Sequence, residues 1–331
     1  MEILVTGAAG FIGFHLCKRL LNEGFKVSGI DCLLAQDALS QKLYSLRLLE
    51  LRDYEHFQFF RMDIRDSEKL SSLFQQSNFS QVIHLAAKTG VRDSFSSTQE
   101  YFSVNLEGSS RIVEECKKNR VEHLIFASSS SVYGEKKGPM SEKDFPEPAS
   151  PYGQTKLALE KMAQAHDDSP LRTTGLRPFS VYGPLGRPDM AYFRFAESIA
   201  EGRPIILFNH GNHLRDFTYV GDVVEGFVRV VRHHFENRLN YSFGIFNLGR
   251  GKPEPTQKLV LCLEERMSKS AIIHFGERQK GDVGQTWADC SAFEREFKFR
   301  PQIEIEGGIK LFYDWWGDFL RICRSGTTLP L

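Results

Sequence analysis

Short apolar runs alternate with longer amphipathic stretches over the first half of the chain. The runs EILVTG, KVSGID, FQFFRMDI, QVIHLAA and HLIFASSS are nearly continuous in apolar residues, the pattern of strands covered on both faces. Between them FIGFHLCKRLLNEG, QKLYSLRLLELRD, SEKLSSLFQQS and YFSVNLEGSSRIVEECKKN carry helical patterns. Strand, helix, strand in repetition predicts parallel pairing with right-handed crossovers, an α/β doubly wound sheet. After about residue 173 the pattern loosens into a Pro-, Gly- and Arg-rich segment, then mixed short elements and a last amphipathic helix, GIKLFYDWWGDFL.

The first helix is entered through LVTGAAGFIGFHL, with Gly7, Gly10 and Gly13 three apart. Strand, glycine turn and helix form a phosphate cradle. Gly7 permits the turn, Gly10 lets a pyrophosphate approach, Gly13 lets the helix pack on the strand, and Phe11 and Ile12 open a helix whose N-terminus faces the anion. The second strand ends at Asp31, eighteen residues after Gly13, where a carboxylate accepts the ribose hydroxyls of adenosine and repels a 2′-phosphate. Asp63 and Ile64 follow the third strand, within reach of adenine. Leu85, Ala86 and Ala87 end the fourth, small enough to leave room. The expectation is NAD rather than NADP, on a Rossmann-type domain.

The expected division is a cofactor domain over residues 1–173, joined by 217–245. A smaller, interleaved α/β substrate domain takes 174–216 and 246–320, and 321–331 form a frayed tail.

Composition narrows the picture. Of 331 residues, 42 are basic and 42 acidic, so net charge gives no argument for nucleic acid or an anionic membrane. No run of about 18 apolar residues is present, and the chain opens on a strand rather than a signal peptide; a cytoplasmic protein with no membrane span is expected. Six scattered cysteines (Cys17, Cys32, Cys116, Cys262, Cys290, Cys323) without C-x-x-C read as thiols, not as a metal or disulfide framework. No metal is expected. His233 and His234 close a helical stretch, and Phe312, Trp315 and Trp316 read as packing.

Candidate chemistry follows the fifth strand. In SPYGQTK, Ser150 caps a helix and Pro151 opens it. Tyr152 and Lys156 are four apart and share a face. A phenol near its ordinary pKa of about 10 is a weak base, and a neighbouring ammonium improves it. FASSSSVYG, 23 residues upstream of Tyr152 at its second serine, supplies a hydroxyl that can share the substrate's proton. Arg92 in GVRDS reads equally as a substrate contact or a structural ion pair.

TGAAGFIG, VIHLAA, ASSSSVYG and YGQTK together resemble the extended short-chain dehydrogenase/reductases that epimerise or dehydrate nucleotide sugars, over the chain to about residue 320. TTGLRPFSVYGPLGRPDMAYFRF and RDFTYVGDVVEG are similar to UDP-glucuronate 4-epimerases. The resemblance implies a Ser129, Tyr152 and Lys156 triad, with Ser130 beside it. It implies Arg215 on the diphosphate, Asp282 on the uridine ribose, Ser180 and Arg187 near the sugar, NAD as cofactor and a homodimer built through two helices per subunit. One departure stands out: where related enzymes have Arg three residues before that Asp, this chain has Gln279, with Arg278 adjacent.

Related dehydratases carry an Asp-Glu pair near the catalytic hydroxyl, and related decarboxylases a Glu. Here Ser129 is followed by Ser130 and Ser131, which points to redox-neutral 4-epimerisation of a UDP-sugar through a transient 4-keto form, UDP-glucuronate to UDP-galacturonate. A 4-epimerase of a neutral UDP-hexose or UDP-N-acetylhexosamine is the nearest alternative; a non-catalytic NAD-sensing module is another.

Overall fold

A computed structural model describes residues 1–35, 37–165, 170–236 and 239–324, the side chains of 323 and 324 excepted. Cys323 and part of the AHDDSPLRTT stretch therefore lie outside the described set. β1 (Glu2–Thr6), α1 (Phe11–Asn22), β2 (Lys26–Asp31), α2 (Ala38–Arg52), β3 (Phe57–Arg61), α3 (Ser67–Gln76) and β4 (Phe79–His84) follow in order. Short α4 (Asp93–Ser96) and α5 (Thr98–Phe102) lead through a π-helical turn (Ser103–Glu107) into α6 (Gly108–Lys118), then β5 (His123–Ala127) and α7 (Pro151–Gln164). The rest comprises β6 (Arg172–Pro178), β7 (Val181–Tyr182), α8 (Ala191–Glu201), β8 (Ile205–Phe208), β9 (Leu214–Arg215), β10 (Thr218–Tyr219) and α9 (Val220–Phe235). It ends with β11 (Phe243–Leu248), β12 (Glu254–Pro255), α10 (Thr256–Met267), β13 (Ile273–Gly276), α11 (Ser291–Phe297) and α12 (Ile305–Arg324).

Seven strands form one parallel sheet in the order β11-β6-β5-β4-β1-β2-β3. The chain winds outward in both directions from the β1–β4 pair, the switch point where such sheets open a crevice at their carboxyl ends. Period-two alternation divides the core. Ile3 and Val5 pack with Phe14, Leu16 and Phe227 on the face of α1 and α9, while Leu4 packs with Leu70, Leu73 and Ile112 on the face of α3 and α6. Each fully buried side chain of this kind contributes roughly 1.5–3 kcal/mol relative to exposure.

β6 and β11 extend the sheet where the apolar pattern had loosened. β6 reads RTTGLRP, and its five central residues are buried, Thr174 bonded to His123 and Arg177 to Glu160. The sheet thus continues to Pro178, across the expected boundary at 173, and β11 runs past 245. The remaining pairs, β7 with β10, β8 with β13 and β9 with β12, are short and lie outside the sheet. The tail expected to fray from Arg321 is helical to Arg324. Trp315 stacks on Phe319 at 5.0 Å, and Phe312 meets Tyr192 edge-on at 4.9 Å, as packing residues do. Among the described residues no helix is long and apolar enough to cross a membrane, and no group of three His, Cys, Asp or Glu could hold a metal.

Candidate active site

The glycine turn fills the crevice edge with backbone. Gly7 has φ +71°, and a Cβ there would come 2.8 Å from the Ala86 nitrogen at the end of β4. A Cβ on Gly13 would sit 2.0 Å from the Gly7 carbonyl oxygen, so α1 rides directly over the turn. Gly10 occupies the N-cap with no side-chain cap, and Phe11 and Ile12 start the helix behind it. The turn is pinned by a residue the motif reading passed over. Thr6 Oγ1 accepts the amides of Leu85 and Ala86 at 3.2 and 3.0 Å and bonds His84 Nδ1 at 2.7 Å. Its signal was only its place at the last strand position.

Asp31 closes the other side. Its carboxylate accepts Leu33 N at 2.9 Å and Ala9 N at 3.2 Å; burial pushes its pKa up against those two bonds. Asp63 is held by Arg65 through both oxygens, which lowers its pKa, and Ile64 is buried against Gly108. The cradle that a Cβ would block, a helix N-terminus without a side-chain cap and a strand-end carboxylate together fit a dinucleotide. Leu85 and Ala86, at the exit of β4, press their backbone against Gly7; Ala87 follows them.

α7 carries Tyr152 and Lys156. Ser150 caps it by accepting Gly153 N at 3.1 Å, with Pro151 at the first position. Lys156 is buried and donates to Ala127 O at 2.8 Å, its Nζ 6.0 Å from the Tyr152 ring centroid. Burial lowers the Lys156 pKa to about 8, with Glu160 opposing. Burial raises the Tyr152 phenol, opposed first by a hydrogen bond with Ser129 and then by the charge of Arg187. Two cations thus lie near the phenol, Lys156 from its own helix and Arg187 from the loop after β7.

The serines divide by direction. Ser129 faces Tyr152 and also accepts Ser131 N at 3.1 Å, capping a 3-10 turn that contains Ser130. Ser128 points behind the helix to Glu160. Asn105 was missed from sequence. It sits in the π-helical turn, accepts Lys88 N at 2.7 Å and donates to Lys88 O and Thr155 Oγ1, tying the β4 exit to α7. A buried Asn three residues before Gly108 in a helical run was the available hint.

Facing this triad, Arg187 donates to Thr89 Oγ1 and pairs with Asp189. Ser180 lies between β6 and β7 and is half-buried, its carbonyl accepting Thr218 N. A second cluster forms farther along. Arg215 donates to Asp282 Oδ1 and Val283 O, each at 2.8 Å. Arg92 lies 3.8 Å from the same carboxylate and stacks on Phe208 at 4.8 Å, with His213 at 3.6 Å. Arg92, Arg215 and Asp282 are thus brought together, with Phe208 and His213 added by the fold. Arg278 is turned to Glu135 and to the Asp282 carbonyl.

Residues 3–249 match the sequence profile of the NAD dependent epimerase/dehydratase family. A UDP-glucuronate 4-epimerase of Thermodesulfobacterium geofontis is 37% identical over 325 residues, covering 97% of this chain and 98% of that one. The crystal structure of the Bacillus cereus UDP-glucuronic acid 4-epimerase with UDP-glucuronic acid and NAD superposes with a TM-score of 0.90 at 37% identity, covering 96% of this chain and 100% of that one. The Thermotoga maritima UDP-glucose 4-epimerase with UDP-glucose is more distant, at 28% identity and a TM-score of 0.86 over 97% of this chain and 100% of that one. With its glycine turn at the sheet's switch point and Ser129, Tyr152 and Lys156 beside it, the chain belongs to the NAD-dependent epimerase/dehydratase family.

Proposed function

We propose that this protein is an NAD-dependent 4-epimerase of a UDP-sugar, converting UDP-glucuronate to UDP-galacturonate. The carrying observation is the placement of Tyr152 on the capped start of α7, its ring 6.0 Å from Lys156 Nζ, with Ser129 following β5 and lowering the phenol's pKa.

Gly7, Gly10, Phe11, Ile12 and Gly13 would hold the pyrophosphate, Asp31 the adenosine ribose, and Asp63, Ile64 and Leu85–Ala87 the adenine side. A bound NAD would supply a hydride acceptor, and then donor, for sugar carbon 4. Tyr152 as phenolate removes the 4-hydroxyl proton and later gives it back, with Ser129 sharing it. Lys156 holds positive charge below the phenol. Arg92 and Arg215 would meet the diphosphate, Asp282 the uridine ribose, and Arg187 with Ser180 the sugar carboxylate.

No carboxylate replaces Ser130 or Ser131, and Glu160 is bound to Arg177 and Ser128, which supports return of the hydride over loss of water. A neutral UDP-hexose leaves Arg187 without an anionic partner on the sugar. A purely sensing module would have no use for the Ser129–Tyr152 proton path.

The same reading carries a cofactor part over 1–173 and 217–245, lengthened by the sheet to Pro178 and Leu248, a sugar part over the rest to 320, and a cytoplasmic homodimer; exposed Phe102 on α5 is an apolar side chain such a face can cover. The test is incubation with UDP-glucuronate, UDP-glucose and their N-acetyl forms without added NAD, products resolved by NMR. UDP-galacturonate is expected; turnover of neutral sugars alone would overturn the substrate assignment.

A further inference from the structure

α2 carries a cation in its apolar stripe. Leu43, Arg47 and Leu51 are spaced four apart on the buried face of the helix, and Arg47 is only 4% exposed. Among the described residues no carboxylate forms an ion pair with it. Its guanidinium instead donates to backbone carbonyls of two separate segments. Nη1 meets Ala9 O, inside the glycine turn, at 2.9 Å. Nε and Nη2 converge on Leu185 O at 3.2 and 2.7 Å, and Nη2 also reaches Gly186 O at 3.1 Å. Tyr44 covers the guanidinium from one helical turn earlier, 5.7 Å from its ring centroid. A buried charge with this many oriented acceptors is held in one geometry.

The segment it grips has little freedom to choose its own path. Leu185 lies in the left-handed region at φ +52°, uncommon for a side-chain-bearing residue. A Cβ on Gly186 would come 1.6 Å from the Tyr192 hydroxyl. His15, on α1, bonds Pro184 O at 2.9 Å, a second tie from the cofactor side. The next residue is Arg187, whose charge acts on Tyr152.

We propose that Arg47 is a positioning residue: by bridging Ala9 O to Leu185 O and Gly186 O, it couples the cofactor turn to the sugar loop and sets where Arg187 meets the substrate. The inference rests on the acid-sugar reading above and adds to it the source of selectivity. Loosening the bridge lets Arg187 drift from the sugar carboxylate, so recognition of the acid weakens more than turnover of a neutral sugar does.

Arg47→Lys retains charge but cannot present the fork to both segments; Arg47→Met retains bulk alone. Holoenzymes of both are compared with wild type for melting temperature, bound NAD, and kcat/KM on UDP-glucuronate and UDP-glucose. The expected result is NAD content within about twofold of wild type and an acid-over-neutral preference reduced about tenfold. Folded variants with an unchanged preference overturn the proposal. So does a variant whose NAD content and both efficiencies fall together, since Arg47 would then serve the turn alone. Wild-type enzyme active only on a neutral sugar refutes the substrate reading separately. The bridge is then judged on that sugar: a several-fold rise in KM at unchanged NAD content sustains it, and unchanged kinetics overturn it.

Discussion

Glu160 accepts one edge of the Arg177 guanidinium through both its oxygens, from Nε at 2.8 Å and from Nη2 at 2.7 Å, one helical turn beyond Lys156 on α7. Both partners are nearly inaccessible, at 6% and 4% side-chain exposure. Arg177 continues to the Tyr133 hydroxyl at 2.7 Å, which donates to Asn247 at 2.6 Å. The catalytic helix is thereby fastened to β6 and β11 by a satisfied polar chain.

Removing one member leaves the other buried and unpaired. Arg177→Met should cost about 3–5 kcal/mol of stability, read from urea midpoints. Glu160→Gln has a second, separable consequence. The carboxylate supports the Lys156 charge against burial, so its loss lowers a pKa already near 8. The alkaline limb of the pH profile for kcat/KM should move to lower pH. An unmoved limb in a folded variant would confine Glu160 to a structural role.

Acid should destabilise the fold through its buried histidines. Burial lowers His84 to about 3 and His15 to about 4, and takes His123 well below 6.5. Their unfolded counterparts bind a proton near 6.5, so below that pH the unfolded state holds more protons. The histidines' contribution is fully present above about pH 6.5 and is lost as pH falls toward the folded values. The drops at His84 and His15 are each worth on the order of 3–5 kcal/mol at full extent. Urea midpoints measured from pH 7.5 down to 5 should fall steadily; a flat series would contradict the assignment.

Much of this arrangement was legible in the sequence, for identifiable reasons. β1, β2, β4 and β5 are buried on both faces, so their composition is mostly apolar and the strand boundaries follow from it, while β3, at the sheet edge, is half-buried and still carries three phenylalanines. Tyr152 and Lys156 lie four apart on a capped helix, and local spacing is enough to place them. What was not legible depends on distant partners. β6 looks polar because Arg177 and Thr174 are satisfied by Glu160 and His123, residues 17 and 51 positions away. Arg47 carries no local signal, because its acceptors lie in the glycine turn and the 184–186 loop. Likewise, helical spacing placed Lys156 near Tyr152 but said nothing about Arg187, which comes from a loop in the other half of the chain.

Tyr152→Phe tests the proton path alone. The ring retains its edge contact with Tyr101, 6.3 Å between centroids, so packing should persist. NAD content after denaturation should match wild type, while turnover falls about 10²–10⁴-fold, the range for loss of a general base. Near wild-type turnover in a folded, NAD-containing variant would remove Tyr152 from the mechanism.

The sugar's identity is tested at Arg187 and Ser180. Arg187 holds two oxygens of Asp189 and the Thr89 hydroxyl, with 29% of its side chain exposed. A substrate carboxylate would add an anion beside a guanidinium already oriented for one. A charge-assisted hydrogen bond contributes about 1.5–3 kcal/mol net, or roughly ten- to 150-fold in discrimination. That favours an acid over a neutral hexose without excluding the latter. Arg187→Ala and Ser180→Ala should therefore lower kcat/KM for UDP-glucuronate more than for UDP-glucose. Arg187→Ala should also lower kcat, because its charge opposes the rise that burial imposes on the Tyr152 phenol. A 4-keto acid held less firmly can lose carbon dioxide, so both variants should release some pentose product, followed by NMR alongside carbon dioxide. Equal losses on acid and neutral sugars would indicate uniform binding rather than carboxylate recognition. That outcome would return the choice of substrate to the neutral hexoses and leave the Ser129–Tyr152 proton path as it stands.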